Sequence, residues 1–581
     1  MPCWLLLSLP VIELLSLLFI FFTLISFGYT IPHDQQKRYA FRTLLFLILR
    51  DWPASVILWM SSCSKLNMNT GRMTSMKKKL IALILALTLI LSVAAVRAES
   101  AEEPEAPAAS ASEAAIDDPV VLQHTAVVQG HPLDYTTTTG YMTVNTANGP
   151  CEMFYMAYTL DGVEDPSQRP VTFACNGGPG AASLYVHMGF LGPRRIDVDE
   201  NGEIDTFPVG IKDNEYSILD LTDLVFIDPV GTGYSKPADG ADLAGFVGYD
   251  NDLASVGGFI RLWISRNGRW LSPKYLAGES YGTTRSIGLA QYLFNTYSLN
   301  LNGIILISDI SNFSIIMEQT NPPDLAYVLY LPTYAADAWY HKRLADQYQQ
   351  MELEDLLKEV RAFAGGEYLS ALFKGRTLDD AEKKEIAAKV AAYSGLTADK
   401  VEEYNLRIKY PDFCKMLLED QKLVIGRMDG RYTGPLTSGS MGDGASDPSS
   451  LETGGIYQAA VNHYIAEELG FRTDKPYVDL SIDVNNAWSF PTDLGAAFSQ
   501  EDVLYDIMSK NRFLKIWVLC GYYDLATPFF SAEWDFNHVF VNDDREASLQ
   551  FTYYPSGHMI YMYEPALAQF RKEAEAWYQS K

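Results

Sequence analysis

The sequence predicts an α/β protein: a central, mostly parallel sheet with antiparallel strands at its N-terminal side, split by a largely helical insertion. Three observations predict it. Between 124 and 160, β-branched and aromatic residues alternate with polar ones in HTAVVQG, YTTTTGYMTVN and EMFYMAYTL, as in half-buried antiparallel strands. Next come apolar runs that each lead into a turn, VTFACNGGPG (171–180), LVFIDPVGTGYS (224–235), YLAGESYG (275–282) and GIILISD (303–309), which mark parallel strands covered on both faces. Two more, KIWVLCGYYD (515–524) and LQFTYYPSGH (549–558), follow a stretch of different character. Residues 350–425 are charged and carry apolar residues at helical spacing, as in MELEDLLKEVRAFAG. Residues 434–455, rich in Gly, Ser and Asp, read as a loop.

The chain has 581 residues, with 45 Lys and Arg against 72 Asp and Glu. The net charge of −27 argues against nucleic acid as a partner, because phosphate binding needs clustered basic residues. Apolar residues make up 48% and aromatics 13%, enough for a large core. The charge is unevenly spread. Ten of the basic and three of the acidic residues lie in the first 98, which leaves −34 for the rest.

That first region reads as processing sequence. Met76 and Lys77 to Lys79 precede the apolar run Leu80 to Ala95, and Val96 and Ala98 are small residues at the positions a signal peptidase reads. Residues 76–98 are therefore expected to be a signal peptide. Residues 1–75 hold a second apolar run, Trp4 to Phe27, long enough to span a bilayer. They are either a membrane segment or translated sequence upstream of a start at Met76. The second reading is favoured, since a complete signal peptide has no use behind a membrane helix. Residues 99–118, ESAEEPEAPAASASEAAIDD, cannot bury enough apolar surface to fold and read as a disordered linker. The folded part then divides into a first core segment, 119–310, the helical insertion, 311–504, and a second core segment, 505–581. The expected location is outside the cell or in a bacterial envelope or periplasm, with no stable membrane partner after cleavage.

Gly278, Glu279, Ser280, Tyr281 and Gly282 form a G-x-S-x-G motif. Composition alone yields one in roughly one chain of this length in five, so context decides. Here a strand-like run precedes the motif and a helical pattern follows it, the setting of a nucleophile elbow. A serine hydroxyl needs a base, and the base an orienting acid. His341, His463, His538 and His558 follow Ser280. His558 lies in a loop directly after the last strand, whereas His538 sits in a helical pattern that suits packing. Asp524 ends the preceding strand; its alternative role is a turn-forming aspartate before Pro528. Asn176 to Gly180 form a loop that could supply a second oxyanion donor, or be an ordinary tight turn. No HExxH, phosphate-binding loop or dinucleotide fingerprint is present, so no metal or cofactor is expected. The six cysteines are too sparse for a disulfide scaffold. Cys151, Cys175, Cys414 and Cys520 could pair, although Cys175 and Cys520 suit buried thiols in core strands.

Together, NGGPGAAS (176–183), DPVGTGYS (228–235), GESYG (278–282), GYYD (521–524) and SGHM (556–559) resemble, in order and spacing, the serine carboxypeptidases of the α/β-hydrolase fold. The insertion is closer to bacterial members, in LPTYAADAWYHKRL (331–344) and VIGRMDGRYTG (424–434). The resemblance implies Ser280 as nucleophile, His558 as base and Asp524 as its acid. It implies an oxyanion hole from the N–H groups of Gly178 and Tyr281. It further implies that Asn176, Gly177 and Glu279 hold the carboxylate of a peptide with a free C-terminus, and that Met559 lines the leaving-group pocket. A substrate carboxylate and Glu279 can adjoin only by sharing a proton, so kcat/KM should fall above about pH 6. The sequence departs from the eukaryotic members twice: Ala181 replaces a cysteine, and Phe190 stands where a second glutamate partners the first. Alternatives are another hydrolase activity (aminopeptidase, esterase or acyltransferase) on the same fold, or a non-catalytic envelope protein.

Overall fold

The computed structural model describes residues 119–203, 208–317, 322–437, 447–492 and 498–580. The expected signal peptide, the linker and residues 1–75 lie outside them.

Strands β1 (Val120–Val128), β2 (His131–Thr146) and β3 (Gly149–Leu160) form an antiparallel meander. After them come β4 (Val171–Cys175), the small pair β5 (Arg194–Asp197) and β6 (Gly210–Asp213), β7 (Asp223–Ile227), β8 (Lys236–Pro237), β9 (Lys274–Glu279) and β10 (Gly303–Ile307). A second small pair, β11 (Leu423–Ile425) and β12 (Thr433–Pro435), precedes β13 (Lys515–Gly521) and β14 (Leu549–Tyr554). Ten strands join one sheet in the order β1-β2-β3-β7-β4-β9-β10-β13-β14, with β8 beside β3. From β7 onward along that path every pairing is parallel.

Burial follows the pairing. Strands β4, β7, β9 and β10 are buried at every residue, whereas the edge strand β1 is mostly exposed. Successive side chains point to opposite faces, and the core is two-sided accordingly. Phe173, Val225, Leu276, Ile304 and Val518 pack on one face with Phe259 and Trp263 of α1 (Tyr249–Arg266) and Ile287 of α2 (Tyr281–Tyr297). Ala174, Phe226, Ala277, Ile305 and Leu519 pack on the other with Leu567 and Phe570 of the last helix, Glu564–Gln579. A parallel sheet that carries a strand–serine–helix elbow and is sandwiched between helices is the α/β-hydrolase fold.

Between β10 and β13 the chain is largely helical, including α3 (Asp324–Tyr340), α4 (Leu353–Phe363) and α5 (Asp380–Ser394). Leu331, Leu356, Val360 and Ile386 belong to the same apolar cluster as the first sheet face. The structure corrects one expectation. Residues 434–455 are not all loop, because α6 spans Pro448–His463. Asp447 accepts from the N–H groups of Ser449 and Ser450, and Pro448 stands at the first turn. These capping signals outweigh the loop-like composition.

Candidate active site

Ser280 joins β9 to α2 at φ 58° and ψ −128°, a region disfavoured for a residue with a side chain. The surroundings enforce it. The Ser280 N–H donates to the Ile307 carbonyl at 2.9 Å, and its own carbonyl accepts from the Thr283 N–H and hydroxyl at 2.8 and 2.7 Å. Glycine is required on both sides: a Cβ on Gly278 would lie 2.0 Å from the Gly282 carbonyl oxygen, and one on Gly282 2.7 Å from that of Cys175.

His558 reaches the same end of the sheet. Ser308, next to Ile307, donates its hydroxyl to the His558 carbonyl at 2.6 Å. The imidazole Nδ1 bonds Asp524 Oδ2 at 2.7 Å. That commits Nδ1 to the carboxylate and leaves Nε2 as the basic nitrogen. Asp524 is buried and well supplied with donors. Its Oδ1 accepts from the N–H groups of Ala526 and Thr527 at 2.8 and 2.9 Å, and its Oδ2 from the Thr527 hydroxyl at 2.7 Å. Asp524 thus performs both roles open to it: it shapes the turn before Pro528 and holds the histidine. Burial disfavours the His558 cation, but the Asp524 carboxylate, helped by Glu279, outweighs this and raises its pKa.

The loop 176–180 lies directly against the elbow. A Cβ on Gly177 would come within 2.4 Å of the Tyr281 nitrogen. Gly178 sits at φ 101°, and among the described residues its N–H enters no backbone hydrogen bond. Tyr281 opens α2, where N–H groups have no helical acceptor. Asn176 is oriented on every side. Its Oδ1 accepts from the N–H groups of Tyr185 and Val186, its carbonyl accepts from Arg285 Nη1 at 2.6 Å, and its Nδ2 donates to Glu279 Oε1 at 3.1 Å. Met559 follows His558, half-buried at the rim of the second apolar cluster.

Glu279 is buried beside Ser280, and burial pushes its pKa up to about 7 against the opposing pull of His558 and two hydrogen-bond donors. The second donor is Tyr561, whose hydroxyl meets Glu279 Oε2 at 2.7 Å. Phe190 stacks on the Tyr561 ring at 5.1 Å and 20°. A phenol on the His558 loop therefore partners Glu279, the part that the resemblance assigns to a second glutamate. Sequence reasoning missed Tyr561, as it did Thr527 and the buried Arg285–Asp252 pair at 2.8 Å. The signal that could have found the pair is that Arg285 is the lone charge between 281 and 297. Among the other histidines, His538 stacks on Trp534 at 3.8 Å and bonds its own helix. His341 bonds the Gly430 carbonyl at 2.7 Å. Cys151, Cys175, Cys414 and Cys520 are all free and buried.

The chain is similar to two curated plant proteins. Serine carboxypeptidase-like 33 of Arabidopsis thaliana is 32% identical over 181 residues, 29% of this chain and 35% of that protein. Serine carboxypeptidase-like 2 from the same plant is 25% identical over 221 residues, 35% of this chain and 46% of that protein. The matches therefore span under half the length of these relatives. A crystal structure of Kex1Δp, a prohormone-processing carboxypeptidase from Saccharomyces cerevisiae, aligns over 76% of this chain and 91% of that one, at 15% identity and a TM-score of 0.46. A family model described as serine carboxypeptidase matches residues 128–564, well over half of the sequence; the chain belongs to the serine carboxypeptidase family.

Proposed function

We propose that this chain is a secreted serine carboxypeptidase that removes residues from peptide C-termini through an acyl-enzyme on Ser280. In this reading Ser280 Oγ attacks the last peptide carbonyl while His558 Nε2 takes its proton. Asp524 stabilises the resulting imidazolium, and the Gly178 and Tyr281 N–H groups receive the oxyanion. His558 then protonates the leaving amine, and water attacks the ester by the reverse sequence. The substrate carboxylate lies against Asn176, the Gly177 N–H and protonated Glu279, with Met559 beside the leaving side chain.

The observation that supports exopeptidase action most is the Glu279 carboxyl: buried, next to the nucleophile, and raised to about 7. A carboxyl that can be neutral near pH 7 accepts a carboxylate neighbour by sharing its proton. The fall in kcat/KM expected from the sequence above about pH 6 moves accordingly to about pH 7. The test is hydrolysis of N-blocked dipeptides with a free or an amidated C-terminus. A carboxypeptidase cleaves the acid and rejects the amide; equal rates on both refute the reading and favour an esterase or another hydrolase. Labelling by a fluorophosphonate, lost in Ser280→Ala, tests the nucleophile, and an N-terminus at Glu99 on exported protein tests secretion.

A further inference from the structure

We propose that Arg427–Arg431, a short strap carried by the insertion, is a positioning element for the acid–base pair, with Asp429 the residue through which it holds His558. This rests on the assignment of Asp524 and His558 above. The two residues stand on separate loops beyond the ends of β13 and β14. Past that ladder the loops meet directly through the Tyr523 N–H on the Ser556 carbonyl at 3.0 Å, the Thr527 hydroxyl 3.2 Å from His558 Nδ1, and the carboxylate–imidazole bond itself.

The strap bonds both loops. Its Arg427 carbonyl accepts from the Leu525 N–H at 3.0 Å, and its Gly430 N–H donates to the Tyr523 carbonyl at 2.9 Å. Those contacts bracket Asp524. The Met428 carbonyl accepts from the His558 N–H at 2.6 Å, and Asp429 Oδ2 from the Gly557 N–H at 3.0 Å. Asp429 is itself fixed by Arg431, whose Nη2 lies 2.6 Å from Oδ2 and whose Nε lies 2.9 Å from Oδ1. The Arg431 guanidinium also reaches the Ser556 hydroxyl at 3.2 Å. The strap is anchored in turn at the start of α6, where the Arg427 N–H donates to Asp447 at 2.7 Å and the Met428 N–H to the Ser449 hydroxyl at 3.2 Å.

The layers touch at backbone distance. A Cβ on Gly557 would lie 2.4 Å from Asp429 Cβ, one on Gly521 2.1 Å from the Gly557 carbonyl oxygen, and one on Gly430 2.1 Å from Asp337 Oδ1. A displaced strap therefore displaces His558. The insertion contributes alignment of the catalytic pair as well as bulk near the site.

The test compares Asp429→Asn, which keeps an acceptor for the Gly557 N–H, with Asp429→Leu, which removes it at similar volume. Exhaustive fluorophosphonate labelling counts the folded active sites, so kcat is read per site. A misplacement on the order of 1 Å costs about 100-fold in rate. The Leu variant should lose about that factor in kcat per site with KM within about threefold, and the Asn variant should retain most of its rate. Arg431→Met, which frees Asp429 to turn, should fall between them and carries the test if the Leu variant does not fold. Asp420→Ala, which breaks an exposed ion pair with Arg343 in the same insertion, should change neither constant. If kcat per labelled site stays at the wild-type value in the strap variants that fold, the strap is only structural and the proposal falls. A wild type that does not label refutes the hydrolase assignment instead.

Discussion

Tyr561→Phe isolates the hydrogen bond that distinguishes this carboxyl site. The phenol donates to Glu279 Oε2 at 2.7 Å, and its pKa is raised well above the usual range by burial and then by Glu279, so it stays a donor at every working pH. Phenylalanine keeps the stack on Phe190 and removes only the oxygen. A hydrogen bond to a charged group contributes about 1.5–3 kcal/mol and one to a neutral group about 0.5–1.5. The differential favouring ionised Glu279 is therefore about 1 kcal/mol, which corresponds to roughly 0.7 of a pKa unit. The other groups facing Glu279 (His558, Asp524, Asn176, Tyr185 and Tyr457) are unchanged. Losing a donor to the anion raises the Glu279 pKa above its value of about 7. In the proposed mechanism the substrate carboxylate needs Glu279 protonated, so the alkaline limb of kcat/KM should move up by most of a unit. The assay is kcat/KM from pH 5 to 9 on an N-blocked dipeptide, with its methyl ester as control. The ester has no carboxylate, so Glu279 should not set its alkaline limb. A limb that stays, moves down, or moves equally for the ester would refute the reasoning.

Further outcomes follow from the same geometry. Glu279→Gln should raise the melting temperature at pH 8 but not at pH 4, read by thermal unfolding. The folded pKa of about 7 exceeds the ordinary 4.5, so neutral Glu279 stabilises the fold below the unfolded pKa. That contribution is lost as pH rises through 7, by about 3 kcal/mol. Thr527→Val removes one donor from Asp524 Oδ2 and leaves the two backbone donors on Oδ1; kcat should fall about fivefold for a loss near 1 kcal/mol, with KM unchanged. Arg285→Met leaves Asp252 buried without its cation at 2.8 Å, and denaturant unfolding should show a loss of about 3–5 kcal/mol.

The sheet was legible because its signals are local. An alternating meander and glycine-ended apolar runs specify strand type without knowledge of neighbours, and the elbow is one strand, one serine and one helix. Asp524 and His558 could be chosen because each lies just past a strand late in the chain. The partners were not legible, because tertiary contact alone defines them. Tyr561 meets Glu279 across 282 positions and Gly557 meets Asp429 across 128, with no periodicity linking either pair. Thr527 was within reach, three residues after Asp524, yet its hydroxyl reads equally as part of a turn. The start of α6 is a different case: its Asp447–Pro448 cap is a local signal, but the Ser and Gly around it give the composition of a loop.

The two groups that the proposed mechanism depends on are coupled, and the coupling bears on when the site becomes competent. Both His558 and Glu279 have raised pKa values, yet the proposed mechanism needs the first neutral and the second protonated. With one proton between them the free site can hold it on either group. Ionised Glu279 favours the imidazolium, and the imidazolium favours ionised Glu279. Asp524 supports the unproductive arrangement from the histidine side, and Asn176 and Tyr561 support it from the glutamate side. A substrate carboxylate reverses the balance. It repels ionised Glu279 and so draws the proton there, and a neutral Glu279 no longer stabilises the imidazolium. Binding of the C-terminus would then release His558 as a base. A pH profile of kcat/KM therefore reports apparent values of the pair rather than of either residue. An amidated peptide leaves the proton on His558, so it should be turned over poorly even where it binds.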